Sequence, residues 1–184
     1  IVGVEVILSL ADFGLVGGAR GVGLRITAIS DYAYSPVILD RVLLGDRSLD
    51  MLRHFVTYPF VSGSLTQALF GSALLLALGK FVSDICNGWS VVVIFFFTTI
   101  TGALAYGLVM DGPVGLYGPQ VPIYGLIGAY SYLMWQKLGR EGGNQFKAFR
   151  LIAFLLGLQL VYSLTLGRYP AWVAEVGAFA AGFP

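Results

Sequence analysis

Between His54 and Lys80 the chain carries no charged residue: Phe55 to Gly79 is 25 residues long. At about 1.5 Å per residue, a helix of that length covers a bilayer core of about 30 Å. Yet its first half is not greasy. Pro59, Ser62, Gly63, Ser64, Thr66, Gln67 and Gly71 all fall there, and polar groups at membrane depth need a packed or water-filled surrounding. Composition settles the environment. The chain is 57% hydrophobic and only 11% charged, against about 25% charged in ordinary soluble domains. So few charges cannot cover a water-soluble fold of 184 residues, and the sequence reads as an integral membrane protein.

The same counts exclude several function classes. A net charge of +1 without a basic run argues against nucleic acid as a partner. One cysteine, Cys86, excludes an internal disulfide and a cysteine-based metal cluster. One histidine, His54, excludes a histidine-rich metal site. No cofactor is expected.

Apolar runs predict six spans. The first is Ile1 to Val16, interrupted by Glu5 and Asp12 and expected to enter from before Ile1. It lacks a basic stretch or a cleavage motif and does not read as a signal peptide. The second is Phe55 to Gly79, the third Trp89 to Met110, the fourth Val121 to Gln136, the fifth Leu151 to Gly167. The sixth starts near Pro170. Lys137, Arg140, Lys147 and Arg150 place the loop between spans four and five in the cytoplasm. Alternation then puts the N-terminus inside and the long first loop, Gly17 to His54, outside. Within that loop, "SPVILDRVLLGD" gathers Val37, Ile38, Val42, Leu43 and Leu44 near one face if helical. This fits a helix lying at the membrane interface or an ordinary packed loop helix. The expected architecture is all-α: one polytopic six-helix domain over 1–184, with no repeat and no soluble domain.

Three blocks carry a family resemblance. "YPFVSGSLTQALFGSALLLALGKF" (Tyr58 to Phe81) resembles the second transmembrane helix of rhomboid intramembrane proteases. "GPQVPIYGLIGAY" (Gly118 to Tyr130) is similar to the start of the fourth helix, and "WVAEVGAFAAGF" (Trp172 to Phe183) to the sixth. Arg53-His54 falls where the family's Trp-Arg pair of the first loop would lie. The resemblance spans the whole chain and implies a six-helix bundle around a water-filled cavity open to the outside. In active members a serine–histidine dyad works there, with a histidine and an asparagine as oxyanion donors.

At the matching positions every one of those groups is replaced. The nucleophile position of G-x-S-G holds Gln120, and the next glycine is Val121. The dyad base position holds Glu175. The H-x-x-x-N motif reads Gln67 and Gly71, and the first histidine of the helix is Ser62. An amide is no nucleophile, and the loss of one oxyanion donor alone costs about 10²–10³ in rate. His54 stands eight residues before Ser62, about 12 Å along a helix, so the pair does not rebuild a dyad. The small residues remain. Gly125 and Ala129 are four apart, with Gly128 beside them, and Ala174, Ala178 and Gly182 form a stripe that lets helix backbones approach closely.

Glu5, Asp12 and Glu175 lie within predicted spans, where a charge near the midplane costs at least about 2.5–3.5 kcal/mol. Glu175 is expected to face the old cavity near Gln120 and Gln67. Asp12 is expected at the outer end of its span, and Glu5 near the inner surface or beside a partner the sequence does not name. Tyr32, Tyr34, Tyr106, Tyr117, Trp89, Trp172 and Tyr169 fit an interfacial aromatic belt.

By resemblance, a rhomboid-like protein without its catalytic groups acts by binding the transmembrane helices of other proteins. The expectation is therefore an inactive pseudoprotease in the bacterial inner membrane, serving as an accessory or assembly subunit of a larger complex. The rivals are an active protease using unrecognised residues, and a small transporter or ion conduit.

Overall fold

The computed structural model describes residues 2–12, 23–45, 48–110, 112, 114–142, 145–150, 153–154 and 171–183. Among them the α-helices are α1 (Val2–Asp12), α2 (Leu24–Tyr32), α3 (Pro36–Leu43), α4 (Leu49–Thr57), α5 (Leu65–Ile85), α6 (Gly88–Val109), α7 (Gln120–Arg140) and α8 (Trp172–Gly182). Short 3₁₀ turns occupy Tyr58–Phe60 and Gln145–Phe149. The fifth predicted span lies outside the described residues except for 153–154. The start of the sixth, Tyr169 and the Asp12 side chain also lie outside them.

The charge-free run is not one helix. Proline has no N–H to donate and favours the first turn of a helix, and Pro59 sits in the 3₁₀ turn Tyr58–Phe60. The chain then extends at Val61. Helix α5 starts only at Leu65, where Ser64 Oγ accepts the Gln67 backbone N–H at 3.2 Å, a side-chain cap for the first turn. At the other end α5 runs past Lys80 to Ile85, because nothing before Asn87-Gly88 stops it. The polar half of the predicted span is thus a loop leading into a helix. Helices α5 and α6 are the two described helices long and apolar enough to cross a membrane. Helix α7 is as long but more polar; Pro122 fits its first turn, whose N–H groups lack intrahelical partners.

The chain forms two compact units: residues 1–75 with 107–120, and 76–106 with 121–184. In the first unit the loop helices surround an aromatic core. Tyr34 and Tyr58 are fully buried, with Leu39, Phe55, Val61 and Leu116. The Tyr34 ring lies 4.8 Å from Phe55 and 6.2 Å from Tyr58, centroid to centroid. Backbone bonds exchanged by Tyr34 and Leu116 (3.0 and 2.6 Å) and a bond from Gly118 N–H to the Tyr58 carbonyl (3.0 Å) tie 114–118 to this core. Burial, and then the Asp40 carboxylate, raise the Tyr34 phenol above its usual range. Gly107 lets it pack, since a Cβ there would meet Tyr34 Oη and Leu39.

Two expectations change here. Tyr34 and Tyr106 are core residues rather than belt residues, being 0% and 2% exposed. Trp89, Trp172 and Tyr32 are exposed. Helix α3 follows Ser35 with Pro36 at its first position. It buries Pro36 and Leu39, while Val37, Leu43 and Leu44 face outward.

In the second unit α6, α7 and α8 touch through missing side chains. A Cβ on Gly125 would strike the Thr98 side chain, one on Gly128 the Phe179 carbonyl, and one on Gly182 the Gly125 carbonyl. Between α6 and α8, a Cβ on Gly102 would meet the Ala174 carbonyl at 2.9 Å, and one on Gly177 would meet Ala105. The buried hydroxyls of Thr98 and Thr99 bond back to the carbonyls of Ile94 (2.7 Å) and Phe95 (2.6 Å), so these polar residues cost little inside the packing.

Candidate functional site

Most of the positions singled out by the family resemblance converge in the first unit. Ser62 is fully buried, and its Oγ hydrogen-bonds no other described residue. The next residue, Gly63, donates its N–H to Gln67 Oε1 at 3.1 Å. One turn into α5, Gln67 Nε2 lies against Gly118, and Gln120 Oε1 lies against the same glycine. Gly118 has φ +93°, a left-handed conformation that suits glycine. Its bare Cα leaves room for both amides. Two carboxamides thus meet on one side of the turn that opens α7. Amides donate and accept hydrogen bonds, but neither attacks a carbonyl carbon.

Two of these positions are tightly packed. A Cβ on Gly71 would collide with the Pro119 ring. The proline therefore fills the volume that a side chain at 71 would need. In the second unit, Val121 is buried, and a Cβ on Gly102 would strike its Cγ1. The bulk of Val121 is met by the absence of bulk at Gly102.

Glu175 belongs to the second unit, in the first turn of α8, and is 3% exposed. Its neighbours Ala174 and Ala178 are fully buried, and Ala129 on α7 is buried as well.

His54 lies in the last turn of α4 and donates from Nδ1 to the Ala33 carbonyl, which lies 2.9 Å away. That bond fixes the ring to the end of α2, and no described serine receives it. Arg53 is half exposed; it pairs with Asp50 (3.3 Å) and its guanidinium lies over the Tyr32 ring. Among the described residues no three His, Cys, Asp or Glu side chains gather to hold a metal.

Sequence reasoning missed one cluster. Glu5 is 1% exposed and pairs with Arg25 at 2.6 Å. Ser9 Oγ donates to Glu5 Oε1 and accepts from Arg25. Arg25 also donates to the Ser62 carbonyl at 2.9 Å. Glu5 thus has in the first loop the partner that the sequence did not name. Its position in an apolar run was the only sequence signal; nothing singled out Arg25 among the five arginines of that loop.

Two described helices are long and apolar enough to cross a membrane, and with the family match that follows they make this a helical membrane protein. A family model, the rhomboid domain, matches residues 49–184, and the chain belongs to the rhomboid family. The match begins at α4 and takes in both amides, Pro119 and Glu175. No curated protein matches the chain. No solved structure matches it.

Proposed function

We propose that this rhomboid-family chain is a catalytically inactive member that binds transmembrane helices of other proteins. In this reading it is a six-helix bundle with a long outer first loop and a cytoplasmic N-terminus. It serves as an accessory or assembly subunit of a bacterial inner-membrane complex. The observation that carries the reading is the state of the matching site. By the family resemblance Gln120 falls at the nucleophile position, and the Pro119 ring occupies the space beside Gly71. Ser62 is buried, and its Oγ hydrogen-bonds no described residue.

Helix binding follows from what remains. Gln67, Gln120 and Ser62 offer hydrogen bonds, but polar contacts between membrane helices contribute only about 0.6–2 kcal/mol each. They orient a partner; apolar packing must hold it. Val92, Val93, Phe96 and Phe97 of α6 are exposed on the described structure and supply such a surface.

A photo-crosslinking residue at Phe97 and another at Gln67 test the reading in native membranes. Adducts to the transmembrane segment of a membrane protein are expected from both positions. Gln67→Ala and Glu175→Gln should lower the yield mildly, and polar replacements of Phe96 and Phe97 should lower it more. If the site variants abolish capture while the α6 variants leave it intact, the old active site is the docking surface. If neither position gives an adduct with another protein, the helix-binding reading is wrong.

A further inference from the structure

The Glu5–Arg25 pair ends, through a single peptide group, at the candidate site. Arg25 donates from one nitrogen to the Ser62 carbonyl and from another to Glu5. The Ser62 carbonyl and the Gly63 N–H belong to the same planar peptide unit. That N–H donates to Gln67 Oε1, and Gln67 Nε2 lies against Gly118, where Gln120 Oε1 also lies. Every member of this chain belongs to the first unit.

We infer that Arg25 is a positioning residue for the Gln67 amide, and that the buried Glu5–Arg25 pair couples α1 and the first loop to the candidate site. The physics is specific. A guanidinium is a rigid fork that can serve two acceptors at once, which an ammonium on a flexible stem does less well. Charge placed on the oxygen of a peptide group polarises its N–H, so the bond to Gln67 strengthens in series with the bond from Arg25. Glu5 is needed because an arginine in apolar surroundings must be paired. With the Ser62–Gly63 peptide clamped, Gln67 has one orientation, acceptor toward Gly63 and donor toward Gly118. With the clamp released, the peptide can rotate and Gln67 loses that orientation. Movement of the first loop against α1 thereby changes what the site offers a bound helix. The consequence for binding rests on the helix-binding reading above; the coupling itself does not.

Amide hydrogen exchange of the full chain in detergent tests it, read at Gly63 and, as a control, across Gly125–Ala129 in α7. Gln67→Ala removes the acceptor directly and should speed exchange at Gly63 about tenfold, the loss of one hydrogen bond. Arg25→Gln should do about the same, and the double variant should be no faster than either. Glu5→Gln, which keeps an acceptor for Arg25, should fall between wild type and Arg25→Gln. Protection across Gly125–Ala129 should stay unchanged throughout. Unchanged protection at Gly63 in Arg25→Gln, or additive effects in the double variant, would overturn the inference. So would equal loss across α7, which would make the pair a general support of the fold. Crosslinking from Phe97 separates the two ideas. Partner capture reduced in Arg25→Gln as in Gln67→Ala supports coupling to binding. No capture by the wild-type chain sinks the helix-binding reading while the exchange result stands for the coupling.

Discussion

Each of the two units is packed internally in its own way. In the second, main chain touches main chain: Gly182 against the Gly125 carbonyl, Gly128 against the Phe179 carbonyl. In the first, polar side chains reach across loops to the main chain: Arg25 to Ser62, His54 to Ala33, and Gln67 receiving Gly63. A contact made by an absent side chain has no substitute, because any atom added there meets backbone that cannot turn away. A polar loop contact can be replaced by another filler, as Pro119 fills the space beside Gly71. In the proposed inactive reading, the difference explains how catalytic groups could be lost inside a scaffold whose helices still pack.

The largest effects should therefore fall in the second unit. Gly182→Ala and Gly128→Ala each add a methyl against a carbonyl oxygen and should cost about 3 kcal/mol, the upper end of ordinary overpacking. Gly88→Ala, where a Cβ meets nothing within 4 Å, should change stability by less than about 1 kcal/mol. Unfolding in mixed micelles measures all three. If all three prove equally harmless, the account of backbone contact is broken.

A smaller effect is expected in the first unit. Gly71→Ala should cost about 2 kcal/mol by collision with the proline ring. Pro119→Ala removes the atom it strikes, so the double variant should recover at least about 1 kcal/mol in a double-mutant cycle. Additive losses would mean that the ring does not plug the position.

Much of this was legible in the sequence because helix packing in membranes writes itself as small residues at fixed spacing. Gly125, Ala129, Ala174, Ala178 and Gly182 stood out as stripes, and α6 was bounded within a residue of its predicted span. The start of α5 was not legible by charge alone. An uncharged run reads as one span whether or not its first half is helical, and the break at Tyr58–Ser64 is set by Pro59 and the Ser64 cap. Tyr34 looked like an interfacial aromatic because hydropathy cannot show that three loop segments close over it. The pairing of Glu5 with Arg25 is invisible for the same reason: it joins residues 20 apart whose meeting depends on the fold. So is the fit of Pro119 to Gly71, since a glycine in a motif does not name what fills its place.

The central claim is that the site no longer performs serine chemistry, and covalent labelling of the unmutated chain by a serine-directed fluorophosphonate tests it most directly. The account predicts no labelling, since by the family resemblance Gln120 falls at the nucleophile position, and Ser62 Oγ hydrogen-bonds no described residue. It also predicts little gain in Gln120→Ser with Glu175→His, because Gly71 is still packed against Pro119 and Gln67 and Val121 are unchanged. Labelling of the unmutated chain that disappears in Ser62→Ala or Ser64→Ala would contradict it.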